Sequence, residues 1–195
     1  MAEVKKEPPT PFAYPKVKIK FKDVFNFKEF YVVMYSWLKS NQWIDKTTGG
    51  QVEFMEEFHL EKTGATGAKE HIIYWEVEKK RTDYIKFSMS ISISTIFLNQ
   101  TEIMKEGKKI KTNIGEIKVE ITARLHPDYN AEWTNHWLLG PFQNKIEETI
   151  FKNEMEAEKD KLYKQLYEFQ SEIKRYLQLQ QFMGSGTEFI PAKEV

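Results

Sequence analysis

The chain has no cysteine. Disulfides, thiol nucleophiles and cysteine-ligated zinc are therefore excluded, and the composition fits a reducing compartment or a hot one. Net charge is absent too. Twenty-nine Lys and Arg balance 29 Asp and Glu, so no global field draws the protein to nucleic acid or to an anionic membrane. No window holds about eighteen uncharged apolar residues in a row, so no membrane span is expected. The N-terminal stretch MAEVKKEPPTPFAYP lacks the apolar core of a signal peptide. A soluble, cytoplasmic protein is the expectation.

Catalytic signatures are missing as well. There is no GxSxG elbow, P-loop or dinucleotide fingerprint. KTTGGQ and KTGATGAK lead into no helix and read as turns rather than phosphate cradles, and the late MGSGT follows a helix and reads as tail. Neither an enzyme nor a cofactor is expected.

What is present is a globular composition. The chain has 195 residues, 41% of them hydrophobic, with 14 Phe, 9 Tyr and 5 Trp to fill a core. Residues 1–15 carry four of the seven prolines and read as a disordered arm. KVKIKF then alternates, with Val17, Ile19 and Phe21 on one face and Lys16, Lys18, Lys20 and Lys22 on the other. Asn26, with Glu29 three residues on, predicts the start of a helix that runs to about Asn41. Its apolar stripe is Phe30, Tyr31, Met34, Trp37 and Leu38.

Four strand patterns follow, at about residues 51–62, 71–79, 84–98 and 115–125. In the first, Val52, Phe54, Phe58 and Leu60 share a face with Glu56, which suggests a bulge. The last has the cleanest alternation, with Ile117, Val119, Ile121, Ala123 and Leu125 inward. The short polar loops suit antiparallel hairpins. A second helical pattern covers about 144–182, and residues 184–195 read as a flexible tail.

These elements predict an α+β fold: an antiparallel sheet of about five strands in a single domain over 16–183, packed on an N-terminal helix and a long C-terminal helix. The element order resembles that of the helix-grip domains of the START and Bet v 1-like superfamily, although this chain shows fewer strands than is usual there. The resemblance implies a curved sheet around the terminal helix, and a cavity for an apolar small molecule or lipid. Trp75, Met89, Trp133 and Trp137 are the candidate walls.

Within the C-terminal pattern, Leu162, Leu166, Phe169, Ile173 and Leu177 repeat at coiled-coil-like spacing, with Tyr163 beside them. The stripe either packs on the chain's own sheet or first helix, or forms a face for self-association or for a protein partner. The second reading makes the protein a non-catalytic interaction module. About 39 residues of helix would run roughly 58 Å, so a kink or a projecting end is expected.

His126, Asp128, Glu132 and His136 fall within eleven residues and are the candidate metal ligands, without a recognised metal signature. Glu56 and His59 form an acid–base pair only if a bulge overrides their opposite parity. The lysine face is the one route to nucleic acid, but it lacks interleaved aromatics. Cross-strand pairing with Glu116 and Glu120 is the simpler expectation. WTNHWLLGPF either plugs one end of the core or forms an exposed lip or docking patch. FSMSISIS sets Ser88, Ser90, Ser92 and Ser94 on the face opposite Phe87, Met89, Ile91 and Ile93. Serine forms strands poorly and covers little surface. That face is either simply solvated, approached closely by another chain or by the N-terminal arm, or turned into a cavity.

Overall fold

A computed structural model describes residues 6–47, 49, 55–65, 67–105, 108–142, 145, 149 and 151–185. Residues 1–5, Val52, Phe54, Asn144, Ile146, Ile150 and the 186–195 tail lie outside the described residues.

The elements run β1 (Phe12–Ala13), β2 (Val17–Phe25), α1 (Phe27–Ser40), β3 (Ile44–Asp45), β4 (Glu56–Thr63), β5 (Lys69–Lys80), β6 (Ile85–Lys105), β7 (Lys108–Pro127), a 3-10 turn at Gly140–Phe142 and α2 (Lys152–Ser185). The fold is α+β with a seven-stranded antiparallel sheet, more strands than the five expected. The excess has a simple origin. β6 occupies one full edge of β7, so β1 and β2 divide the other edge, pairing with Leu125–Arg124 and with Ile121–Asn113. Pro15 lies between them and cannot donate to the ladder. In the same way β3 and β4 share the free edge of β5.

The arm is thus anchored from Phe12 onward, contrary to a wholly disordered 1–15. Tyr14 N–H donates to the Ala123 carbonyl at 3.0 Å, and its hydroxyl donates to the Lys159 carbonyl at 2.8 Å. Further out, Lys6 N–H donates to Asn135 Oδ1 at 2.8 Å.

Alternation fixes which face is covered. Ile73, Trp75 and Val77 of β5 stand beside Ile93, Ile91 and Met89 of β6. These in turn stand beside Val119, Ile121 and Ala123 of β7, and all are fully buried. Ile19 and Val17 extend this layer onto β2. Both helices cover it. Asn26 caps α1 by accepting from Glu29 N–H at 3.2 Å, as the sequence predicts, and α1 buries Phe30, Met34 and Leu38. α2 contributes Leu162, Leu166, Phe169, Ile173 and Leu177 to the same core. Tyr176 of α2 ties the two helices together, its hydroxyl donating to the Asn26 carbonyl at 3.0 Å. No helix among the described residues is long and apolar enough to cross a membrane.

Two strand boundaries differ from the sequence reading. β6 and β7 continue as a long hairpin to the Lys105–Lys108 pair, past the expected limits of Leu98 and Gly115. β-Branched pairs sustain it, Thr101 opposite Thr112 and Ile103 opposite Ile110. The ladder slips between Ile96 and Asn99, where Phe97 takes a left-handed φ of 51°. Opposite the slip, a Cβ on Gly115 would meet Leu98 Cα and the Phe97 carbonyl oxygen at 3.0 Å each, so glycine is required there.

β4 carries the second difference. Its ladder shifts between Glu56 and Phe58, so the expected bulge is present. The shift reverses the face assignment beyond it: His59 pairs with Ile73 and Glu61 with His71, while Phe58 is half exposed. The inward assignment of Phe58 and Leu60 is corrected accordingly.

Candidate functional site

The stripe singled out on the C-terminal helix is core. Leu162, Leu166, Phe169, Ile173 and Leu177 are each at most 2% exposed, so as placed they are not a face for another chain. Heptad-like spacing reports an apolar stripe but not what covers it. The neighbouring face of α2 is different. Tyr163 and Tyr167 are 47% and 41% exposed, and their ring centres lie 4.4 Å apart. With half-buried Trp37 of α1 they line an open groove of about 560 Å³ between the helices, bordered by Lys164, Glu168 and Arg175. Tyr14 extends the ladder at 5.8 Å from Tyr163, and Phe12 lies edge-on to Tyr14 at 5.0 Å. Trp37 is seated from below by Phe169 at 4.8 Å. Only Tyr163 of the sequence candidates belongs to this groove. Tyr167, four residues after Tyr163 and so on the same helix face, could have been found from that spacing, whereas Trp37 joins only through helix–helix packing.

The four candidate cavity walls do not converge. Trp75 and Met89 are fully buried in the core beneath the helices. Trp133 closes one end of the core, with Tyr84 and Phe151 at 5.1 and 5.5 Å. Trp137 stands 82% exposed on the linker, with Leu138 and Phe142 half exposed nearby. WTNHWLLGPF is thus both plug and exposed patch.

The linker metal quartet is likewise dispersed into local structure. Asp128, only 2% exposed, accepts from Trp133 N–H at 3.1 Å, from Thr134 N–H at 2.7 Å and from the Thr134 hydroxyl at 2.6 Å. This organises a turn rather than an ion. His136 Nδ1 accepts from the Leu138 and Leu139 amides at 3.3 Å. His126 Nε2 shares a hydrogen bond with Ser88 Oγ at 2.8 Å. Glu132 lies near Asn130 instead, whose side-chain amide donates to it at 3.5 Å. Among the described residues no group of three or more His, Asp or Glu is set to hold a metal ion.

Ser88 and Ser90 are buried on the outer face of the sheet, at 4% and 8% exposure. Long side chains from the flanking strands cover them. Arg124 donates to Ser90 Oγ at 2.7 Å, His126 reaches Ser88, and Lys86 pairs with Glu78 at 2.9 Å. Serine's thinness admits these neighbours, which belong to the chain itself. The lysine face is likewise engaged: Lys16 meets Glu120 and Lys20 meets Glu116, each at 3.0 Å. The expected cross-strand pairing is therefore present.

The β4 bulge assembles a polar cluster that the sequence only hinted at. Glu56 Oε2 lies 3.5 Å from His59 Nδ1, and His59 Nε2 lies 3.3 Å from His71 Nδ1. His71 is 6% exposed, stacks on Phe27 at 4.8 Å and donates its backbone N–H to Thr95 Oγ1 at 2.9 Å. Burial pushes its imidazole below the ordinary value, only partly offset by Glu61. Glu61 is held below the usual carboxylate range by Lys69 at 2.6 Å, with the two histidines adding to this. Burial and a hydrogen bond to Glu56 push the Tyr31 hydroxyl well above its ordinary value. Glu56 and His59 were the sequence candidates here. His71 was missed because it comes from the partner strand β5, and Glu61 because only the register set by the bulge places it opposite His71.

Comparison with known proteins gives no match: no family model, no curated protein and no solved structure is significantly similar to the chain.

Proposed function

We propose that this protein is a non-catalytic docking module and that its C-terminal helix presents the docking surface through the Tyr163–Tyr167 ladder. The observation that supports this reading is the pairing of exposed aromatics with a rigid base. Trp37, Tyr163 and Tyr167 line an open groove on two helices whose opposite faces are locked in the core. Aromatic side chains held this way offer large contact area at small entropic cost and are the commonest interface anchors. The mixed charges of Lys164, Glu168 and Arg175 at the border supply a polar rim. The occupant is a protein partner, a second copy of the chain being one such partner. The helix-grip resemblance remains part of this reading as a proposal about architecture, with the helices used outwardly instead of closing over a ligand.

Native mass spectrometry of the untagged protein at two concentrations tests it, alongside the Tyr163→Ser/Tyr167→Ser double variant. A concentration-dependent dimer that the double variant loses is the supporting result for a second copy. For any other protein that binds the chain, affinity for the double variant should fall at least about tenfold, given about 2 kcal/mol for a centrally placed anchor. Equal binding by the two forms sinks the reading.

A further inference from the structure

We propose that the His59–His71 pair is an acid-sensitive latch, which holds the bulged edge strand β4 and the start of α1 against β5 at neutral pH and lets them go when both rings are charged. It lies apart from the aromatic groove and does not rest on the docking reading. His59 Nε2 and His71 Nδ1 lie 3.3 Å apart and share a ring-to-ring hydrogen bond. Such a bond needs a proton on one of the facing nitrogens and a bare lone pair on the other. A neutral pair meets that condition, and so does a pair carrying one extra proton. A pair in which both rings are imidazolium does not. Both facing nitrogens then carry hydrogen, and two cations stand in contact.

The groups around the pair oppose that second proton. His71 is the inner member, 6% exposed, with its ring stacked on Phe27 of α1 at 4.8 Å. β6 contributes the Thr95 hydroxyl, which accepts the His71 backbone N–H at 2.9 Å. Two carboxylates of β4 face the rings, Glu56 Oε2 at 3.5 Å from His59 Nδ1 and Glu61 Oε2 at 3.8 Å from His71 Nδ1. Each has another claim on it. Tyr31 of α1 hydrogen-bonds Glu56, and Lys69 of β5 binds the other oxygen of Glu61 at 2.6 Å. With Glu61 tied to an ammonium, the pair lacks a counter-charge for two protons.

The sign of the effect follows. Burial depresses the His71 imidazole below its ordinary 6.5; Glu61 works against this, and His59 and Lys69 add to it. The unfolded chain therefore takes up that proton more readily than the folded one. The contribution of the contact is full above about pH 6.5 and is lost as pH falls through the folded value. The loss is local because β4 pairs with β5 at the sheet edge, away from the central β6–β7 ladder. Opening bares the β5 edge from Lys69 to Trp75, now paired with β4, and an unpaired edge is a template for another strand.

Residue-resolved amide hydrogen exchange of the untagged full chain at neutral and at mildly acidic pH, corrected for the intrinsic pH dependence of exchange, tests the latch. Protection of the β4 amides should fall by about tenfold or more on acidification, the effect of losing one buried hydrogen bond. Amides of the central ladder, around Ile91 and Ile121, should fall by less. His59→Gln keeps a hydrogen-bonding amide at a partly exposed position but cannot take a charge. It should retain β4 protection at neutral pH and lose the acid response. Unchanged β4 protection in the wild-type chain overturns the proposal, and so does an equal fall across the whole sheet. A fall of wild-type size in His59→Gln overturns it too, because the proton would then act elsewhere. Should that variant fail to fold, the imidazole nitrogen resonances of the wild-type chain decide. Both rings should take up protons over the pH range in which β4 loosens; rings that stay unchanged there sink the latch.

Discussion

The two faces of α2 are built from similar residues and meet different fates. One face presents Leu162, Leu166, Phe169, Ile173 and Leu177 to the sheet and to α1, where they are sealed from water. The face beside it presents Tyr163 and Tyr167 to an open groove. A helix advances 100° per residue, so neighbours one position apart, such as Leu162 and Tyr163 or Leu166 and Tyr167, fall on opposite sides of that boundary. Apolar periodicity therefore locates a stripe without saying whether its cover is the same chain or another one. Tyrosine tolerates the exposed edge because its ring packs while its hydroxyl stays wet.

Truncating the sealed face should have the largest effect. Phe169→Ala removes a fully buried ring on which Trp37 rests, and a loss of about 3–5 kcal/mol is expected in urea unfolding. A stable variant with unchanged oligomeric state would break the contrast between the faces.

The next effect concerns Glu158, a buried charge on the sealed face, held by Arg81 at 2.9 Å and Lys161 at 2.6 Å. Arg81→Ala leaves that carboxylate with a single partner, and about 1–3 kcal/mol should be lost because Lys161 remains. Adding Glu158→Leu should recover much of it, and a double-mutant cycle measures the coupling.

Acid titration sharpens the same point. Burial alone would raise the Glu158 carboxyl, but Arg81 and Lys161 outweigh it and hold the group below its ordinary 4.5. The unfolded chain then takes up the proton first as pH falls. This contribution to stability is full above about 4.5 and is lost as pH drops through the folded value. His126 acts earlier. Burial, with Lys86 and Arg124 nearby, depresses its imidazole below 6.5. The unfolded chain again binds the proton more readily, so stability begins to fall below about pH 6.5. Denaturation midpoints at pH 7.5, 5.5 and 4 should decline in two steps; a flat profile contradicts both assignments.

The smallest effect is expected on the open face. Tyr163→Ser and Tyr167→Ser should each change stability by no more than about 0.5 kcal/mol, the range for surface positions. A loss of several kcal/mol would mean that the ladder is core, and the groove would lose its meaning as a docking surface.

Legibility followed periodicity closely. Over 115–125, β7 read correctly because one wet and one dry face impose strict alternation. α1 read correctly because Asn26 caps it locally. The hairpin beyond Leu98 was missed because the ladder slips at Ile96–Asn99, where Phe97 takes a left-handed φ, and the pattern does not run on in phase across the slip. The faces of β4 were reversed because a single extra residue flips every side chain beyond it. At the candidate sites, Tyr163 was legible as a stripe neighbour, but Trp37 lies far away in sequence and joins it only through helix–helix packing. His59 was visible; its approach to His71 was not.

By itself, the sequence determined the class of fold, the sheet's dry face, the two helices and the lack of a recognised catalytic motif. All of these follow from local spacing and composition, which act within one element. Only the tertiary structure decided what covers the α2 stripe, what lies over the serines of β6 and which polar groups meet at the β4 bulge. Those outcomes depend on contacts between residues distant in the chain, such as Ser90 with Arg124 and Trp37 with Phe169. Such pairs carry no signal in either partner's own sequence neighbourhood.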